Sequence, residues 1–269
     1  MNFSKRKKLL VEAISASLLA GKEILKVYQS EDFEVQLKSD NTPLTIADQR
    51  AHHAIISVID NLGIPILSEE GEHLNYEERQ KWEQCWIVDP LDGTKEFIKR
   101  NDEFTVNIAL IDDETPVAGV IYVPVYEQLY FADIELGAYR VDKIRDWDKN
   151  LDVLLQKSHK LPLEQNRSET LIVGSRSHMN EETKQFIENW KQDKKEVKLI
   201  SKGSSLKLCM IAENEADVYP RFGPIMEWDT AAGHAIVKAS GGKVLQYNTN
   251  LELKYNKKDL MNPSFICTR

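Results

Sequence analysis

No run of apolar residues in this chain approaches the roughly 20 that a membrane-spanning helix needs. The one leader-like segment is the basic run Lys5 to Lys8 followed by Leu9, Leu10 and Val11; Glu12 interrupts it, and Lys22 and Glu23 follow soon after. No h-region of a signal peptide therefore forms. Cysteine is scarce: Cys85, Cys209 and Cys267 are odd in number, widely spaced and without a CxxC pair. That pattern offers no disulfide framework, and reduced, buried thiols of a cytoplasmic protein are expected. Positive charge is also short, with 35 Lys and Arg against 43 Asp and Glu and a formal net charge of −8. Duplex binding depends on cations that neutralise phosphates, which argues against a nucleic-acid polymer as the main partner. A small anionic substrate would need help from metal ions, although an acidic excess is more often a solvated surface that aids solubility. No internal repeat or low-complexity segment is present.

What the chain does have is ordinary globular composition, 42% hydrophobic and 29% charged over 269 residues. That length suits one large domain or two halves packed on a shared core. Leu10, Ile14, Ser17, Gly21, Ile24 and Tyr28 recur at steps of three and four and predict a helix over residues 4–29. The basic run at its start reads as a solvated helix end, with weak contact to an anionic membrane surface, at the cytoplasmic face of the inner membrane, as the other reading. A second helix is predicted near 44–61, closed by Gly63, then a strand at Ile64 to Leu67, a polar helix at 76–84 and a strand at Cys85 to Val88 that stops at Asp89. Four strand-like runs follow, Phe104 to Ile111, Val117 to Val123, Gln128 to Ala132 and Gly137 to Val141, with the short turns of an antiparallel meander.

After a polar stretch around 144–168 the pattern changes. Strands at Thr170 to Val173, Val197 to Ile200, Ala216 to Tyr219 and Lys243 to Gln246 alternate with helices at 181–192, 205–213 and 229–239. An α+β half at 1–158, with an antiparallel sheet, and an α/β half at 159–269 are expected.

The segment WIVDPLDGTKEF at 86–97 carries the chemistry. Pro90 pushes Asp89 towards extended geometry and donates no ladder hydrogen bond, so the strand is expected to end with a carboxylate at its tip. Asp92 lies where it can cap a helix starting near Gly93 and Thr94, whose free amides would favour an anion. Ser68, Glu69 and Glu70 end another strand, and EWDTAAGHAIV at 227–237 puts Asp229 at a further helix cap. Hard divalent cations take oxygen ligands, and Glu69, Asp89, Asp92 and Asp229 would suit two of them. Singly, each has a plain structural reading: caps for Asp92 and Asp229, an exposed turn for Glu69 and Glu70, a pre-proline loop for Asp89. Together, four carboxylates at strand ends or helix starts, flanked by apolar runs, favour a site.

DPLDGT with SEE upstream and WDTAAGHA downstream resembles the signature layout of the inositol monophosphatase superfamily, and the motifs occur in order over nearly the whole chain. TKEFIKR after the DG pair, GSSLK at 203–207 and YPRFGP at 219–224 look like its CysQ-type branch of 3'(2'),5'-bisphosphate nucleotidases. Inositol monophosphatases tend to have Asn where this chain has Glu96, and lack the basic residue of GSSLK. The resemblance implies a layered αβαβα sandwich of the sugar phosphatase fold. It implies two or more Mg2+ ions held by Glu69, Asp89, the Leu91 carbonyl, Asp92 and Asp229. It also implies that Asp48 pairs with Thr94 to orient and deprotonate the attacking water; on residues alone Asp48 is a helix-surface residue. By the same carry-over Ser175, His178, Ser204 and Lys207 line the nucleotide site, with Arg221 a further candidate; a surface-loop His178 and a solvated Lys207 are the plain readings. The implied reaction is lithium-sensitive removal of the 3'-phosphate of adenosine 3',5'-bisphosphate to give AMP, with its sulfated relative as a further substrate, in sulfur assimilation. A broader inositol or sugar phosphatase, and more remotely a non-catalytic nucleotide sensor, are the alternatives.

Overall fold

Helix α1 (Phe3–Tyr28) begins where the Asn2 side chain accepts from Lys5 N at 2.9 Å, and it buries Leu10, Ile14, Ser17, Gly21 and Ile24 along one stripe, as the spacing predicts. The basic run is not solvated throughout: Arg6 turns inward and its Nε donates to buried Asp133 at 2.7 Å. The computed structural model describes residues 1–30, 36–37, 43–72, 74–144, 147–175, 180–193 and 196–269. Among them no helix is long and apolar enough to cross a membrane.

Strands β1 (Gln36–Leu37) and β2 (Pro43–Leu44) pair antiparallel and lead into α2 (Ile46–Ile59), which a capping box at Thr45 starts and Gly63, at φ +69°, closes after a short 3-10 turn. Next come β3 (Ile66–Ser68), the single-turn α3 (Tyr76–Arg79), which is shorter than the polar run predicts, and β4 (Gln84–Asp92). β4 also departs from expectation. It does not stop at Asp89 but continues to Asp92, pairing Asp89 with Asn107 and Asp92 with Thr105 through a register shift that absorbs Pro90.

α4 (Thr94–Ile98) follows, and then the meander: β5 (Thr105–Asp112), β6 (Thr115–Val123), β7 (Gln128–Asp133) and β8 (Gly137–Val141). After α5 (Leu151–Gln156), β9 (His159–Lys160) joins β8 at the edge. The seven-stranded sheet has the order β3-β4-β5-β6-β7-β8-β9, with β3 and β4 parallel and every other pair antiparallel.

The remaining elements are β10 (Thr170–Ser175), α6 (Glu181–Asp193), β11 (Val197–Lys202), α7 (Leu206–Glu213), β12 (Val218–Arg221), α8 (Ala231–Ala239), β13 (Lys243–Gln246) and β14 (Phe265–Thr268). They form a five-stranded sheet of order β11-β10-β12-β14-β13. Strand β14, which the sequence pattern does not announce, is antiparallel to both its neighbours.

Alternate residues of the large sheet feed two cores. Trp86, Val88, Ile108, Leu110 and Val120 pack with the apolar stripes of α1 and α2. Ile87, Ala109, Ile111 and Ile121 pack with Leu208, Ile211, Ala232 and Ile236 of α7 and α8, and the same core takes in Val173, Tyr219, Val244 and Phe265 of the small sheet. On the far face of the small sheet Ile172 and Val218 pack with Ile187 of α6. The layers are therefore α1/α2, large sheet, α7/α8, small sheet, α6, the αβαβα sandwich expected.

The middle contact is tight at Gly119 on β6. A Cβ there would lie 2.5 Å from the Ala232 carbonyl oxygen and 2.9 Å from the Ala235 Cβ. Backbone of a packed helix yields poorly, so Gly119→Ala is expected to destabilise the fold by about 1–3 kcal/mol. Thermal unfolding reads this directly; an unchanged Tm would show that α8 can withdraw from β6.

Candidate metal centre

Three carboxylates from separate elements converge where the sheets meet α8. Parallel pairing of Ser68 with Val88, extended by a 3.1 Å bond from Glu69 N to Val88 O, sets Glu69 beside Asp89. Asp89 holds its own turn, accepting from Leu91 N at 3.0 Å. Asp229 arrives on the loop before α8. It does not cap that helix, as the sequence pattern suggests; the N-cap residue is Thr230, and Asp229 Oδ2 instead accepts from Met226 N at 2.9 Å. One oxygen from each of Glu69, Asp89 and Asp229 falls within 4.8 Å of the others.

Asp92 joins them electrostatically, and it too is no helix cap. Gly93 takes the N-cap position of α4 at φ +93°, without a side-chain bond to the helix. The Asp92 Oδ2 atom accepts from Ser204 Oγ at 2.7 Å, Ser205 N at 2.6 Å and Asn107 Nδ2 at 3.3 Å.

Concentrating like charges in a dry place is unfavourable. Burial first, then the charges of Glu69, Asp92, Asp229 and Asp48, push Asp89 well above the usual carboxylate range. Burial, Asp92 and Glu69 raise Asp229 likewise, and Arg221 only partly offsets them. A hard divalent cation removes that repulsion, and the donors are all oxygen, so the cluster fits one.

Asp48 and Thr94 stand together beside the cluster. Asp48 is buried; its Oδ2 accepts from Thr45 N at 2.7 Å and Thr45 Oγ1 at 2.6 Å, closing the capping box of α2. Its Oδ1 accepts from Thr94 Oγ1 at 3.2 Å, and that hydroxyl also lies 3.4 Å from the Leu91 carbonyl. Asp48 is thus not a helix-surface residue.

The nucleotide candidates gather along the small sheet. Ser175 and Lys202 are paired at the ends of β10 and β11. Ser204, at φ +53°, turns its hydroxyl onto Asp92. Lys207 is buried rather than solvated, donating from Nζ to the carbonyls of Ser204 at 2.5 Å and Lys202 at 3.3 Å. Burial, with Arg221, pulls its ammonium down to about 8, against an upward pull from Asp92. Arg221 is buried at the end of β12 and donates to the Pro224 carbonyl. His178 lies outside the described residues.

Sequence reasoning passes over the residues that hold Asp92. Thr105 Oγ1 lies 2.7 Å from Ser204 Oγ and 2.9 Å from Ser205 Oγ, while Asn107 Oδ1 accepts from Thr105 at 3.0 Å and Ser205 at 2.9 Å. A signal exists: Thr105 and Asn107 are polar at a spacing of two in an otherwise apolar strand. Glu227 is a second omission. Fully buried, it accepts from Asn256 N at 2.5 Å, Lys257 N at 3.0 Å and Lys257 Nζ at 2.5 Å, fixing the loop that carries Asp229.

Helix-separated sheets with an acidic triad at their junction define the sugar phosphatase class of fold. The chain belongs to the inositol monophosphatase family, which it matches over residues 5–269. It is 42% identical over 250 residues to the 3'(2'),5'-bisphosphate nucleotidase CysQ of Shigella flexneri, covering 91% of this chain and 94% of that one. The enzyme of that name from Escherichia coli K12 is likewise 42% identical, over 256 residues, with 91% and 94% covered. The crystal structure of CysQ from Bacteroides thetaiotaomicron superimposes with a TM-score of 0.91 at 50% identity, covering 97% of each chain.

Proposed function

We propose that this chain is a magnesium-dependent 3'(2'),5'-bisphosphate nucleotidase that removes the 3'-phosphate of adenosine 3',5'-bisphosphate, giving AMP and orthophosphate, and that it also accepts the sulfated relative. The observation that carries this reading is the 42% identity to enzymes of that name across 91% of the chain. The convergence of Glu69, Asp89 and Asp229 supports it with a place for the metal.

Glu69, Asp89, Asp92, Asp229 and the Leu91 carbonyl are the ligand set we assign. Bound there, magnesium would polarise the phosphate and lower the pKa of water. The remaining chemistry falls to side chains. Thr94 Oγ1, whose proton points to Asp48 Oδ1, has lone pairs to take a hydrogen bond from the attacking water. Asp48 thereby holds the proton that Thr94 passes on, and Glu69 orients the water from the other side. The α4 turn has only five residues, so the Gly93 and Thr94 amides act as local donors to phosphate oxygens more than through a helix dipole. Ser175, His178, Ser204, Lys207 and Arg221 are assigned to the nucleotide, with Lys207 and Arg221 supplying positive charge behind the carboxylates.

The test is phosphate release over adenosine 3',5'-bisphosphate, its sulfated relative, inositol 1-phosphate and fructose 1,6-bisphosphate, with magnesium, with other divalent cations and with none. The bisphosphate nucleotide is expected to lead in kcat/KM by at least about tenfold, ~1.4 kcal/mol, with magnesium required and lithium inhibitory. An inositol or sugar phosphate in the lead would make this a broader phosphatase, and binding without any release would make it a sensor.

A further inference from the structure

The turn that carries Asp229 is held from outside itself. β12 ends at Arg221 and α8 begins at Ala231, so Asp229 lies on the connection between them and in neither element. The bonds within the turn are local: Met226 N donates to Asp229 Oδ2 at 2.9 Å, and Thr230 N and Oγ1 donate to the Glu227 carbonyl at 3.1 and 3.2 Å. What aligns the connection is the segment 256–262. Glu227 N donates to Leu260 O and Asn262 N to Ile225 O, each at 2.9 Å, and Met226 and Met261 form an antiparallel bridge.

Asn262, itself buried, spans the turn. Its Nδ2 donates to Met226 O at 3.1 Å and to Thr230 Oγ1 at 2.9 Å, one partner on each side of Asp229 in the chain. Both amide protons are thereby used. Tyr255 OH donates to Thr230 Oγ1 as well, at 3.3 Å, so that hydroxyl has its one donor and two acceptor positions filled. Charge aims the amide: Lys257 Nζ can only donate and lies 3.3 Å from Asn262 Oδ1, which leaves the NH2 end facing the turn. Lys257 is fixed in its turn by fully buried Glu227, whose Oε1 accepts from Nζ at 2.5 Å.

The other end of the segment is anchored to α3. Arg79 Nη1 donates to Asn256 Oδ1 and Asn256 Nδ2 donates back to the Arg79 carbonyl, each at 2.8 Å. α3 precedes β4, the strand that carries Asp89. Asp89 is held in a sheet, whereas Asp229 is held only through its turn. The two carboxylates repel each other until a cation lies between them, and the turn is the part that can yield.

We propose that Asn262, aimed by the Glu227–Lys257 ion pair, is a positioning residue for Asp229: it keeps that carboxylate at the separation from Asp89 that a divalent cation requires, and so sets the affinity for the cation. The inference rests on the assignment of Asp229 as a metal ligand and on no choice of substrate. Groups that orient a ligand from behind typically contribute ten- to a hundredfold in metal affinity.

The test measures magnesium binding without substrate, by calorimetric titration and by the magnesium-dependent rise in Tm, in wild type, Asn262→Ala, Lys257→Met and Lys257→Arg. Near-UV circular dichroism establishes which variants are folded. Asn262→Ala is expected to raise the magnesium Kd roughly tenfold to a hundredfold. Its kcat at saturating magnesium should return to within about threefold of wild type, a split that general loss of packing does not produce. Lys257→Met should raise the Kd in the same direction, and Lys257→Arg, which keeps a donor for both Glu227 and Asn262, should stay within about threefold of wild type. An unchanged Kd in a folded Asn262→Ala overturns the inference; should that variant unfold, an unchanged Kd in a folded Lys257→Met does so. Unfolding of both would make the segment a stability element and equally overturn it. A wild type that binds no magnesium is a separate result, which removes the metal assignment before any variant is read. Failure to cleave the bisphosphate nucleotide leaves the binding comparison intact.

Discussion

Asp89→Asn is expected to lower turnover at saturating magnesium by at least about a thousandfold, equivalent to ~4 kcal/mol of transition-state stabilisation, while the protein stays folded. The amide keeps an oxygen for Leu91 N, so the turn at Pro90 survives. It loses the buried carboxylate of the Glu69, Asp89 and Asp229 cluster. The same change should weaken a stability trend. Asp89 in the folded chain has a pKa raised above its ordinary 3.8, chiefly by burial and then by its acidic neighbours. Its contribution to folding is therefore fully present below the unfolded value and is lost as pH rises through the folded one.

Without divalent metal the wild type should accordingly lose Tm as pH rises from acid towards neutrality. Asp89→Asn should lose less, and magnesium should raise the Tm of the wild type more than that of the variant. Kinetics and thermal unfolding with and without magnesium, across pH, check both. Near-normal turnover, or an equal magnesium effect on Tm, would remove Asp89 from the metal assignment.

The sequence shows where carboxylates lie more clearly than what each one touches. Pro90 and Gly93 mark a break in an apolar strand, and such a break is local, so DPLDGT is legible at once. The partners of Asp92 are not local. Ser204 and Ser205 lie more than a hundred positions away and meet it only because α7 is packed between the sheets. Composition suggests a helix cap for Asp92 and for Asp229 because Asp is good at capping, yet both spend that capacity on long-range or loop donors. Burial of long cations is equally hidden. Nothing in KRKK distinguishes Arg6, which reaches Asp133, from its neighbours, and nothing in GSSLK says that Lys207 ends on backbone carbonyls. Strand β14 has four residues and draws its identity from being sandwiched between β12 and β13, which no window of sequence contains.

Layer order, by contrast, follows from local periodicity. Steps of three and four in α1 and runs buried on both faces in β4 to β7 leave the large sheet with helices on either side.

Asp48→Asn is expected to lower kcat by about a hundred- to a thousandfold while leaving the magnesium effect on Tm in place, with a capping loss of about 1 kcal/mol. The prediction turns on hydrogen-bond polarity. Asp48 presents an acceptor in two directions, Oδ2 to the Thr45 amide and hydroxyl and Oδ1 to the Thr94 hydroxyl. An asparagine has one acceptor oxygen, and the Thr45 amide, which can only donate, claims it. The Asn NH2 then faces Thr94 and donates to it, occupying the lone pairs that would receive the water proton and turning the hydroxyl away towards the Leu91 carbonyl, 3.4 Å off in the native arrangement.

Thr94→Val should have an effect of the same size for the complementary reason, and Thr94→Ser should keep activity within a few-fold. On the proposed relay, the double variant Asp48→Asn/Thr94→Val should be little worse than either single one. Multiplicative losses would instead mean that Asp48 serves only as the cap of α2 and that Thr94 works alone.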